Sequence, residues 1–137
     1  MVKSALVLLI LIAAVFMAVP PLPAQSSGPV YELRTYTAIE GRLPALLARF
    51  RDHTLQLFQK HGIESVGYWV AADPPKSQNT LVYLLKYKSR EAATASWDAF
   101  RKDPQWLKVQ KESEAAGKIV DKVESVFLTP TDFSKLK

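Results

Sequence analysis

Glu32, Arg34 and Tyr36 place a carboxylate, a guanidinium and a phenol at alternate positions of one short stretch. Alternate side chains of an extended chain share a face, so the three stand side by side. Lining the space between two paired sheets, they could hold a small polar or acidic ligand. The plainer assignment is an ion pair with hydrogen bonds, because charges taken out of water must be paired or they cost several kcal/mol. The histidines are His53 and His61. Eight positions of separation are too many for an i, i+4 pair gripping a metal from one helix face, so no metal site is expected. His61 precedes Gly62, and at a helix C-terminus the partial negative charge favours an imidazolium. His53 lies at the edge of an apolar stripe. It could accept a proton, or ligate haem axially, in a pocket between helix and sheet; it could also be a helix-flank residue bonded locally. Trp69, Trp97 and Trp106, with Phe100, could wall an aromatic pocket or fill core and interface.

Composition removes many other chemistries. The 137 residues contain no cysteine, which excludes disulfides, thiolate zinc sites, iron–sulfur clusters and thiol nucleophiles. No phosphate loop, nucleophile elbow or dinucleotide fingerprint occurs. Asp98 and Asp103 stand five apart, a poor geometry for a two-carboxylate site. The formal charge is +5, but the basic residues are scattered and lack interleaved aromatics, so no nucleic-acid partner is expected.

The N-terminus reads as an address. Lys3 precedes fifteen unbroken apolar residues, Ala5 to Val19, and then come Pro20, Pro21 and Pro23. At a rise of about 1.5 Å per residue the run spans roughly 22 Å, short of a ~30 Å hydrocarbon core. Residues 1–24 therefore form a secretory signal peptide cut after Ala24, and the protein is expected to be exported, periplasmic or secreted. Only an uncleaved segment would hold it to a membrane. Residues 25–29 form a linker, 30–129 one domain and 130–137 a flexible tail.

Within the domain, alternation predicts strands at Val30–Thr37, Ser65–Ala71, Thr80–Lys88 and Ile119–Thr129. A helix from Leu43 or Pro44 to His61 buries the face of Leu43, Leu46, Leu47, Phe50, Thr54, Leu57, Phe58 and His61, with Gly62 as its left-handed cap. Ser89 caps a second helix striped by Ala93, Trp97 and Phe100. Asp103-Pro104 breaks that helix and opens another turn. The order β-α-β-β-α-β is the ferredoxin-like plan: an α+β fold with a four-stranded antiparallel sheet and helices on one face. The third strand is apolar on both faces, so the side without helices would be oily in a lone subunit. A symmetric homodimer with its sheets face to face is expected.

The order and spacing of V-Y-E-L-R-T-Y-T, K-H-G-I, V-G-Y-W, L-V-Y-L-L-K-Y and W-D-A-F-R-K-D-P-Q-W resemble the NIPSNAP family over about Val30 to Thr129. Y-E-L-R-x-Y and W-x-x-F-x-x-D-P-x-W are the most specific pieces. The resemblance implies a dimeric α/β barrel. Family members include mitochondrial proteins with vesicle and mitophagy roles; wider relatives include cofactor-independent monooxygenases, haem-binding enzymes and stress-response proteins. The leading expectation is an exported homodimer that binds a small hydrophobic or acidic molecule, or serves in stress, with no established catalysis and without a cofactor. Its ligand residues would be Glu32, Arg34, Tyr36, His53, Trp69 and Trp97. The alternatives are a cofactor-independent monooxygenase or isomerase using His53 or Tyr36, and a haem-binding protein.

Overall fold

Strands β1 (Val30–Ala38), β2 (Glu64–Val70), β3 (Thr80–Tyr87) and β4 (Val120–Leu128) pair antiparallel in the order β2-β3-β1-β4. The computed structural model describes residues 28–137. The proposed signal peptide and most of the linker lie outside the described residues. Helices α1 (Leu43–Arg49) and α2 (Leu55–Lys60) form one rod, joined through a π-helical turn at Phe50–Thr54. Helices α3 (Arg90–Lys102) and α4 (Pro104–Ser113) follow β3. The architecture is the expected α+β, ferredoxin-like one, and β3 and β1 are its central strands.

Local chemistry sets the boundaries. Gly62 adopts φ 71° just past α2, a conformation with little steric cost only for glycine. Ser89 Oγ accepts the Ala92 N–H at 3.1 Å to start α3. Asp103 Oδ1 accepts the Gln105 N–H at 2.7 Å to start α4, with Pro104 at its first position. These are the expected caps. Asp103 does more than cap: its Oδ2 accepts from Lys60 Nζ at 2.7 Å and stands 2.7 Å from His61 Nε2. One carboxylate therefore ties the end of α2 to the start of α4.

The sheet separates two environments. Leu81, Tyr83, Leu85 and Tyr87 of β3 are buried under the helices with Leu46, Leu57, Phe58, Ala93, Trp97 and Phe100. Around Tyr83 the rings of Tyr36, Phe50, Phe58 and Tyr68 pack within 6.3 Å, Tyr36 and Phe50 edge-to-face, Phe58 tilted and Tyr68 stacked. The other face carries Leu33, Val82, Leu84, Trp69, Val126 and Leu128, with Trp69 and Val126 each 54% exposed. Trp69 lies across Gly67, where an added Cβ would come within 2.5 Å of its ring. The C-terminal residues follow one end of this face. Lys86 Nζ donates to the Lys137 carbonyl at 3.3 Å, and a groove of about 300 Å³ runs between Tyr31, Leu84, Leu128 and the segment from Thr129 to Leu136.

The hydrogen bond from Lys60, then those from His61 and Gln105, hold the Asp103 carboxyl well below its ordinary value of 3.8. A depressed value stabilises the fold above the ordinary pKa and loses that contribution as acid reaches the depressed one. Asp103→Ala is expected to lower the melting temperature at pH 7, with the difference from the parent shrinking as pH falls below about 3.8. Asp98→Ala, which removes an exposed pair with Arg101, should change little. Circular dichroism melts of both variants across pH check this.

Candidate functional site

Glu32 occupies the centre of the helix-facing side. Its Oε1 accepts from Arg34 Nη1 and from Ser125 Oγ, each at 2.6 Å. Its Oε2 accepts from Trp97 Nε1 at 2.7 Å and from the Tyr87 hydroxyl at 2.8 Å. Four donors match the roughly four lone-pair directions of a carboxylate. Burial alone would push the Glu32 carboxyl up; the bonds from Ser125, Trp97 and Arg34 outweigh it and hold the group below its ordinary value.

Arg34 is fixed just as closely. Its Nε donates to the Tyr83 hydroxyl at 2.9 Å and its Nη2 to the Tyr36 hydroxyl at 3.3 Å. Its guanidinium carbon stands 4.3 Å from the Trp97 ring centroid, within cation–π range. Burial opposes its charge, yet the Tyr83 and Tyr36 oxygens and Glu32 raise its pKa still further. Burial, and next the neighbouring Glu32 charge, push the Tyr87 hydroxyl up. Burial likewise pushes up the Tyr83 hydroxyl.

Glu32, Arg34, Tyr36 and Trp97 thus meet, but not where the sequence placed them. They lie under the helices rather than between paired sheets, because their face of β1 is continuous with Tyr83 and Leu85 of β3, against which α3 packs. Glu32 is an internal fastener whose four bonds leave it nothing to offer a ligand. Trp69 stands on the opposite face of the sheet. His53 is exposed one position off the buried run of Phe50, Thr54 and Leu57. It lines an outer groove of about 300 Å³ with Ala45, Ala48, Arg49, Asp52 and Val109, not a space between helix and sheet.

The space between helix and sheet is a cleft of about 340 Å³ beside β4. Tyr36, Val120 and Val123 line it from the sheet; Arg49, Phe50, Thr54, Phe100 and Trp106 line it from the helices; Gln110, Glu114, Lys118 and Asp121 add polar atoms. The π turn shapes one wall. The Leu55 N–H bonds the Phe50 carbonyl five residues back, and Thr54 Oγ1 donates to the Arg49 carbonyl at 3.2 Å. This widened turn presents Arg49, Phe50 and Thr54 together, and π turns recur at functional sites. The Arg49 side chain is only 5% exposed. Its Nη1 donates to Glu114 Oε1 at 3.2 Å and Ser113 Oγ at 3.4 Å, and its carbon stands 5.4 Å from the Trp106 centroid. Its buried Nε has no partner among the described residues.

Of the candidates named from sequence, Tyr36, Phe100 and Trp106 line this cleft. Arg49 was missed because a lone arginine between Leu46 and Phe50 reads as helix surface. Its one signal is that it continues the buried phase set by Leu46. Tyr83, Tyr87 and Ser125 were missed as partners of Glu32 because strand register is not written in local sequence. Among the described residues no group of histidine, aspartate and glutamate is placed to hold a metal ion.

The NIPSNAP family profile matches residues 31–135. Solved structures agree in fold. A NIPSNAP family protein of unknown function from Agrobacterium tumefaciens is 25% identical, with a TM-score of 0.70 over 82% of this chain and 96% of that one. A NIPSNAP-like domain protein from Burkholderia xenovorans is 17% identical, with a TM-score of 0.68 over 79% and 90%. No curated protein matches the sequence. The two most specific motifs meet in space: Trp97 of the late one bonds Glu32 of the early one, while Asp103 of the late one caps α4.

Glu32→Ala strands Arg34 in the interior without its counter-charge. It is expected to cost about 3 kcal/mol or more, read from urea denaturation. Tyr36→Phe removes only the 3.3 Å bond and should cost about 1 kcal/mol or less.

Proposed function

Because this chain belongs to the NIPSNAP family, we propose that it acts as an exported, homodimeric small-molecule-binding module whose ligand occupies the cleft beside Tyr36 and Arg49. The carrying observation is the cleft itself: about 340 Å³, with Tyr36, Phe50, Phe100, Trp106, Val120 and Val123 as an apolar wall beside the charged Arg49, Glu114, Lys118 and Asp121. That is the composition of small-molecule sites, in which apolar walls supply affinity and a few polar groups fix orientation.

The homodimer rests on the open sheet face. Trp69, Val126 and Leu128 are exposed there beside Val82 and Leu84, more oily surface than a soluble subunit usually leaves in water. The C-terminal residues cover only the end near Tyr31. A second copy related by a two-fold axis would bury the rest. Export rests on the charge and apolar run of residues 1–24. Among the described residues no helix is long and apolar enough to cross a membrane.

A cofactor-independent oxygenase or isomerase is the second reading, favoured by the Tyr36 phenol in the cleft wall. Our proposal does not extend to haem held by His53, which is absent from that wall.

Native mass spectrometry of protein from its own host reads copies per assembly and any retained small molecule together. Two copies are expected. Trp69→Lys with Val126→Lys should yield a folded single copy, and Val123→Trp should abolish retention of the small molecule. A single-copy parent in dilute solution contradicts the dimer, and retention by Val123→Trp contradicts the site.

A further inference from the structure

We propose that the cleft selects a small organic carboxylate with an apolar body, and that the Nε edge of Arg49 is the group that recognises it. The inference deepens the small-molecule reading above and rests on it.

The argument starts from an imbalance at Arg49. Both of its hydrogen bonds among the described residues run through Nη1, to Glu114 and Ser113. Nε is buried and has no partner among the described residues. A buried donor left unmet costs the free energy of its lost hydration, so an acceptor arriving at this edge recovers a deficit built into the fold. Arg49 cannot easily turn away. Glu114 holds one end of the guanidinium, and the Trp106 ring lies beside it at 5.4 Å.

The unpaired Nε edge sets the ligand's chemistry. Nε–H and the neighbouring Nη2–H of a guanidinium point the same way and match the two oxygens of a planar carboxylate. Lys118, also in the wall, supplies a second positive charge. A doubly charged phosphate fits less well, because Glu114 and Asp121 line the same space. The remaining surface, from Phe50, Phe100, Trp106, Val120 and Val123, asks for an aromatic or aliphatic body. The bound acid would lie along these rings with its carboxylate on Arg49.

The test compares matched acids and amides on the full mature protein: 3-phenylpropanoate against 3-phenylpropanamide, and octanoate against octanamide. Dissociation constants are read by NMR titration, together with the Arg49 Nε–Hε resonance. The proposal expects each acid to bind at least tenfold more tightly than its amide and to shift that resonance. Arg49→Lys should weaken the acids at least tenfold and leave the amides unchanged. Equal binding of acid and amide, both abolished by Val123→Trp, overturns the carboxylate and leaves the cleft as a site. Acids that move other resonances but not Arg49 Nε–Hε also overturn it, even if Arg49→Lys fails to fold. If neither member of a pair binds, or if binding survives Val123→Trp, the cleft reading falls as well.

Discussion

A carboxylate can remain charged inside a protein only when its lone pairs meet donors, and Glu32 imposes that condition here. Its four donors come from β1, β3, β4 and α3: Arg34, Tyr87, Ser125 and Trp97. No one of these elements can shift without uncovering a charge. The ion pair is therefore an instrument of geometry more than of net stability, since a buried pair gains little over apolar packing while its rupture is expensive. Arg34 extends the constraint outward. It fixes the Tyr83 and Tyr36 hydroxyls, and Tyr36 is the point where the closed interior network reaches the wall of the open cleft.

The helical layer repeats this arrangement at its other end. Asp103 holds Lys60, His61 and the first turn of α4, so α2 and α4 keep a fixed relation. Between the two fasteners lies the π turn, which gives Arg49, Phe50 and Thr54 a common direction. These contacts thus flank a space that the surrounding side chains leave open.

Much of this was legible in the sequence because it rests on local rules. Alternation placed Glu32, Arg34 and Tyr36 on one face, and the cap chemistry of Gly62, Ser89 and Asp103 gave the helix ends. The element order gave the α+β topology. What alternation cannot give is which face the helices choose. Tyr31 and Leu33 on one side and Val30 and Tyr36 on the other are comparably apolar, and the choice is settled by Trp97 reaching Glu32 across 65 residues. The π turn left no mark either, since the apolar spacing through Phe50, Thr54 and Leu57 suits an ordinary helix. Arg49 acquires its meaning only when α4 brings Glu114 and Trp106 beside it.

The most direct test of the account is the ionisation of Glu32 itself, followed as the chemical shift of its carboxyl carbon in the folded protein as acid is added. The account predicts a carboxylate that stays ionised below pH 4.5, the ordinary value for the group, and takes up a proton as the fold opens. A reversible titration near pH 4.5 with the fold intact would contradict it, because the carboxylate would then be answering to solvent rather than to its four donors.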